Sequence, residues 1–392
     1  MSTTALIYLL IKAFEMLVIV ICGIQISRLP SKISTLDYWK IAFWAVLAYA
    51  IGEGLRWGHM VDYNSGCIYY NQIQSFFDDE RNPIWSSVQY FLKLLGFKYR
   101  FFIFFQCSFL MFSIMVLVKN YHKYASHIMP IAIIAILMNE NFIRWYMAFG
   151  FILIGIHYYI NNKDIKAFVF FLFALLTHFG YLFIIWIFFL FKLLNHLELK
   201  PWIVCTIFVV ADLFGNISWI AYPINELSFF LVSMGLDESV NEGFSYLTST
   251  ERLFNGDLPL GLMSASIPAK IANLLIHVPV ILWSKRYIKQ VIPHYNFFYN
   301  IYVLGIILGQ LFTQVTLLGR FTQVMVFFFC IVGGSFYSIA IKNNKQSYVR
   351  LFLILSMLLY FFPYIKGPFS REDRDMFFLW DSNGQGYNST YL

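Results

Sequence analysis

A chain of 392 residues that is 59% apolar, 20% aromatic and only 12% charged carries about half the charge of a soluble domain, which runs near roughly 25%. That much apolar surface cannot be hidden in one water-soluble core, and no long polar stretch interrupts the apolar runs to fold separately, so the sequence reads as one membrane domain. The net charge of +7 would suit an anionic partner such as nucleic acid, but its distribution along the chain gives it another meaning.

A membrane-spanning helix takes roughly 20 apolar residues, about 17 at the short end. In chain order the predicted helices are 5–26, 38–55, 101–118, 128–137, 143–160, 167–191, 202–222, 271–283, 297–318, 321–341 and 351–365. The first run has no cationic segment before it and no small-residue cleavage site after it, so a retained span is expected and not a signal peptide. Two connections are long, 56–100 and 223–270, and both are expected outside the cytoplasm. Residues 1–365 thus form a single transmembrane domain. The tail 366–392, with Ser370-Arg371-Glu372-Asp373-Arg374-Asp375, reads as a solvated surface extension. Cys22, Cys107, Cys205 and Cys330 lie in apolar runs and only Cys67 in a polar one, which argues against disulfides or a cysteine metal site.

Six short junctions, around Arg28 to Lys40, Lys119 to Lys123, Lys163 to Lys166, Lys192 to Lys200, Lys285 to Lys289 and Lys342 to Arg350, carry 15 of the 28 Lys and Arg. Only Asp37, Asp164 and Glu198 oppose them. Loops rich in Lys and Arg stay in the cytoplasm, so the basic excess is a topology signal and nucleic acid is not an expected partner. Lys166 and Lys192 must then face the same side, and the run between them must turn back. Thr177-His178-Phe179-Gly180 is the place for that turn, since a broken helix is tolerated where its backbone is buried in protein or lines a wet cavity. The alternative is one straight span with Lys192 outside.

With the hairpin, the outer face receives four groups of residues able to carry chemistry. Arg56-Trp57 with Asp62-Tyr63 and Tyr69-Tyr70 joins cation, carboxylate and rings; an interfacial aromatic belt would explain the rings but not Asp62. Arg144 needs an anion, either Glu140 four residues earlier or a ligand phosphate. His178 interrupts an uncharged apolar run, a costly placement that points to a task, with a packing histidine as the bland reading and no second ligand beside it for a metal. Arg320 stands between two long apolar helices next to Gly319. Arg252, in the acidic outer loop, is a weaker candidate. No glycine-rich phosphate loop, serine nucleophile elbow or zinc signature is present.

Arg56 with Asp62-Tyr63, Ile143-Arg144 followed by Ala148, the segment 174–178 ending in His178, and an arginine opening a late helix resemble the EpsG family of bacterial polysaccharide polymerases, relatives of the Wzy-type O-antigen and capsule polymerases. Trp145 stands where the family often has glutamine, and Gly180 where it often has serine. The resemblance implies an all-α polytopic bundle of about 11 to 12 membrane helices, similar to membrane glycosyltransferases of the GT-C-like kind. It implies an enzyme of the bacterial inner membrane that joins undecaprenyl-diphosphate-linked oligosaccharide repeat units at the outer face, with no metal or cofactor. A flippase and a chain-length regulator would be its partners. Arg56, Arg144 and Arg320 would clamp the diphosphate, and His178 or Asp62 would accept the proton of the attacking hydroxyl. Trp57, Tyr63, Tyr69 and Tyr70 would offer platforms for sugars, with Glu140 and Arg252 as further substrate contacts. The rivals are a flippase of lipid-linked sugar, for which paired broken helices in two related halves are expected, and a ligase or acyltransferase at the same face.

Overall fold

The computed structural model describes residues 3–30, 34–54, 56–57, 61–137, 142–193, 195–214, 267–311, 316–364 and 377–378. Two helices, α1 (Thr3–Ser27) and α2 (Thr35–Gly54), precede a pair of short ones, α3 (Val61–Gln72) and α4 (Pro83–Leu94), in the segment expected as the first long outer connection. Then follow α5 (Tyr99–Val118), α6 (Ala125–Ala135), α7 (Ile143–Ile160), α8 (Asp164–Thr177), α9 (Leu182–Leu193) and α10 (Pro201–Phe214). The last helices are α11 (Ile267–Ile288), α12 (Tyr295–Leu311), α13 (Thr316–Val326), α14 (Phe329–Asn343) and α15 (Ser347–Tyr360). Each predicted apolar run carries a helix. Among the described residues, six helical stretches are long and apolar enough to cross a membrane: Leu9–Ser27, Tyr99–Ala135, Ile143–Ile160, Ile267–Ile288, Gly319–Asn343 and Ser347–Tyr364. The chain is a polytopic helical membrane protein.

Two residues of the tail do more than extend into solvent. β2 (Phe377–Phe378) pairs antiparallel with β1 (Arg56–Trp57), Arg56 opposite Phe378 and Trp57 opposite Phe377.

The chain forms two compact units, Met1–Leu193 with Gly333–Asn343 and Tyr360–Leu392, and Leu194–Val332 with Asn344–Leu359. In the first, small residues let helices meet at backbone distance. A Cβ on Gly54 would stand 2.6 Å from Phe104 Cα, and one on Gly23 2.8 Å from the Ala125 carbonyl oxygen. The Tyr38 hydroxyl donates to the Met115 carbonyl at 2.6 Å, fixing α2 on α5. Lys12, almost wholly buried in α1, is matched by Glu15 at 3.7 Å and by Glu53 of α2, as ions withdrawn from water must be. At one end of this unit the basic junctions gather. Lys119 Nζ donates to Thr35 Oγ1 at 3.2 Å, Asn120 Nδ2 lies 3.0 Å from His157 Nδ1, and Lys192 Nζ reaches Asp164 at 2.9 Å and the Tyr159 carbonyl at 3.0 Å.

The Lys192 contacts decide the path of the predicted hairpin. The 14 residues of α8 extend about 21 Å at about 1.5 Å per residue, short of the roughly 30 Å of a bilayer core. His178 then breaks the helix with an extended backbone at φ −157° and ψ 107°, Phe179–Tyr181 makes a single tight turn, and α9 leads back. Phe171 and Phe189, on the two arms, pack with ring centroids 5.8 Å apart. The arms are antiparallel and both ends lie with the basic junctions, as the charge pattern required; the straight span is not what forms.

In the second unit, Glu198 accepts from Lys285 at 2.9 Å and also pairs with Lys289, and the Lys289 and Lys285 ammonium groups hold its carboxyl down to about 2. Asn296 and Asn300 donate to the carbonyls of Asn195 and Leu197 at 3.0 and 3.1 Å. Toward the other end of α10, Asn273 donates to Asp212 Oδ1 at 2.7 Å.

Because the neighbour of Gly54 is backbone, a side chain there must push α2 from α5. Gly54→Val is expected to cost about 1–3 kcal/mol and to lower the thermal unfolding midpoint of the protein in detergent; an unchanged midpoint would contradict the close approach.

Candidate functional site

The site lies at the end of the first unit away from the basic junctions, about 20 Å along α7 at its helical rise. Arg144 stands in the first turn of α7. Its Nη1 is 3.6 Å from Asp79 Oδ2, with the arginine side chain 43% exposed and the carboxylate 22%. Asp79 belongs to the turn between α3 and α4. Its Oδ1 accepts from the amides of Arg81 and Asn82 at 3.0 and 3.1 Å, and its Oδ2 from Asn82 Nδ2 at 2.9 Å. One carboxylate thus shapes the turn that starts α4, where Pro83 follows the capping residue Asn82, and faces the guanidinium of α7. The Tyr69 hydroxyl lies among Asp78, Asp79 and Ser86. Burial first, then those two carboxylates, push its pKa up to about 12, so it remains a proton donor at physiological pH.

The hairpin delivers His178 to the same place. Its imidazole meets the indole of Trp145, the neighbour of Arg144, edge to face at 4.9 Å, and Tyr181 stacks on Trp145 at 4.2 Å and donates its hydroxyl to the Trp145 carbonyl at 3.0 Å. His178 Nδ1 accepts from the Gly180 amide at 3.1 Å. A neutral imidazole whose Nδ1 accepts holds its proton on Nε2. In this conformation His178 therefore carries a donor at Nε2, whereas a general base would need a lone pair there. A Cβ on Gly180 would meet His178 and Trp145 at 3.1 and 3.2 Å. Residues 145 and 180 are thus neighbours, the bulk of Trp145 being accommodated where residue 180 has no side chain.

The other sequence candidates are distributed as follows. Arg56 and Trp57 have the backbone placement of β1, and Asp62 lies in α3. Tyr63 and Tyr70, expected as sugar platforms, are buried at 3% and 2%, with rings 5.1 and 5.6 Å from Tyr99; here they pack the base of α3 and α4. Glu140 and Arg252 lie outside the described residues. Arg144 takes Asp79 as its partner, a residue the sequence reading missed because 65 positions separate the two; the acidic run Asp78-Asp79-Glu80 was the available signal. Arg320 is half-buried on α13 in the second unit, where the Thr322 hydroxyl donates to the Gly319 carbonyl at 2.9 Å. Asp212, a charge within an apolar run, is 2% exposed. Among the described residues no three His, Cys, Asp or Glu side chains gather as a metal site.

A family model described as EpsG family matches residues 39–375. The chain belongs to the EpsG family. EpsG is a Wzy-type polysaccharide polymerase family, so the general role of this EpsG member is polysaccharide polymerisation. No curated protein and no solved structure matches the chain.

Because His178 caps the tight turn through Nδ1, His178→Ala is expected to destabilise the EpsG protein by about 0.5–2 kcal/mol, while His178→Asn, whose side-chain oxygen can accept the same amide, keeps most of that stability. Thermal unfolding in detergent separates the two; equal losses would mean that the cap is not the structural contribution of His178.

Proposed function

We propose that this protein joins oligosaccharide repeat units carried on undecaprenyl diphosphate, at the outer face of a bacterial inner membrane. The observation that carries the reading is Arg144 one residue before Trp145, against which the His178 turn packs, at the end of its unit opposite the basic junctions. The positive-inside tendency keeps the basic end in the cytoplasm, which turns Arg144 and His178 toward the exterior. A guanidinium in the first turn of a helix is at the positive end of the helix dipole and favours an anion. Asp79 supplies one in the free protein. A diphosphate offers more charge to the same guanidinium and binds it bidentately, and it enters with its lipid tail still between the helices.

In the reaction, the hydroxyl oxygen of the acceptor sugar forms a bond to the anomeric carbon of the donor while the bond from that carbon to the diphosphate oxygen breaks. The electron pair leaves with the diphosphate. Arg144 takes up the developing negative charge, and Arg56 and Arg320 are assigned the same task. His178, protonated at Nε2, donates to a diphosphate oxygen, and Asp62 is the carboxylate assigned to accept the hydroxyl proton. This arrangement needs no metal or other cofactor.

Arg144→Ala, His178→Asn and Arg320→Ala are expected to insert normally and to lose polymer, the arginine variants by about 10²–10³-fold in rate, while single repeat units accumulate on the lipid carrier in the outer leaflet. Long polymer in all three variants overturns the mechanism, and units stranded in the inner leaflet would instead identify a flippase.

A further inference from the structure

The buried face of α4 sets polar residues beside its apolar ones, Trp85 and Leu92. Asn82, Ser86 and Gln89 fall four and then three residues apart, on one side of the helix, and are 9%, 0% and 0% exposed. Positions of this kind are normally apolar, and polar residues there call for a partner or a purpose. Asn82 has its partner in Asp79, and the Ser86 hydroxyl donates to the Pro83 carbonyl at 3.1 Å. Gln89 has none: both its amide nitrogen and its carbonyl oxygen are buried without a hydrogen bond. The Tyr69 hydroxyl is buried within reach of Ser86 and Asp78. Most buried polar groups are satisfied, and each that is not requires an explanation. Here the unsatisfied carboxamide of Gln89 lies on the side of α4 that carries Ser86, next to Tyr69, and Asn82, whose partner Asp79 faces the half-exposed guanidinium of Arg144.

We propose that Tyr69, Ser86 and Gln89 form the binding site for the sugar ring attached to the diphosphate, with Gln89 reading adjacent hydroxyls of that ring. The assignment rests on Arg144 holding the diphosphate. A carboxamide matches a pair of neighbouring hydroxyls because it can accept from one and donate to the other, and the tyrosine hydroxyl adds a further donor. The ring enters from the Arg144 end, and the chain of polar groups gives the sugar a place one residue deeper than its phosphates. An unsatisfied buried amide weakens the free protein, so replacing it with an apolar residue of similar size should raise stability while removing recognition.

The test uses the full-length protein in lipid nanodiscs with two probes, undecaprenyl diphosphate and the undecaprenyl-diphosphate-linked oligosaccharide extracted from producing cells. Wild type is expected to bind the glycosylated lipid at least about tenfold more tightly than the bare one. Gln89→Leu should remove that advantage, leave the affinity for the bare lipid unchanged, and unfold at the same or a higher temperature; Arg144→Ala should weaken binding of both probes. If Gln89→Leu does not fold, Tyr69→Phe combined with Ser86→Ala should show the same selective loss. Unchanged binding of both lipids by the folded variants overturns the sugar site and leaves the diphosphate reading standing. Failure of wild type to bind either lipid overturns both.

Discussion

A helix that stops at membrane depth leaves backbone amides with no water to take them, and this constraint governs the first unit. The interruption after Thr177 is tolerated because the amides of His178, Gly180 and Tyr181 find protein partners. The His178 amide still donates to Ala174 and that of Tyr181 to His178, at 2.9 and 3.1 Å, while the imidazole takes the amide of Gly180. Only with those bonds made can the arms of the hairpin lie antiparallel, closed at their far ends by Lys192 on Asp164. The bend then arrives beside Trp145, so the same bonds that make the break affordable also place an imidazole against the residue that follows Arg144.

Charge divides each unit along its length. At one end of the first unit, Lys119 and Lys192 are neutralised or capped by neighbours on other helices; in the second, Lys285 and Lys289 share Glu198. At the other end of the first unit the arrangement is inverted. Arg144 faces a turn that holds Asp78, Asp79 and Glu80. A half-exposed pair of this kind is worth little as a fastener, and its partner carboxylate is already committed to three hydrogen bonds within its own turn. Arg144 is therefore held in position by an anion that can be exchanged at small cost, which suits a group meant to receive a more highly charged ligand.

The membrane spans were legible because apolar length is a local property, and the hairpin was legible because Lys166 and Lys192 must share a side. The pairing of Arg144 with Asp79 was not, since it joins a turn and a helix far apart in sequence and nothing in the spacing of either points to the other. The burial of Tyr63 and Tyr70 was not legible either, for a related reason. Aromatic rings in a polar connection look like an exposed platform, but α3 and α4 fold over Tyr99 and Phe102 and enclose them. Sequence also offered no reason to expect an imidazole to spend its Nδ1 on a backbone amide two residues away, the fact that fixes which tautomer His178 carries.

The short ladder between Arg56–Trp57 and Phe377–Phe378 ties the far C-terminal region to the first of the arginines that the family resemblance singles out. Fusing a reporter or an affinity handle near Phe378, or trimming the chain before it, would thus strip Arg56 of its main-chain neighbour. Engineering of this polypeptide for purification is safer at the junction between α11 and α12, which belongs to the other compact unit.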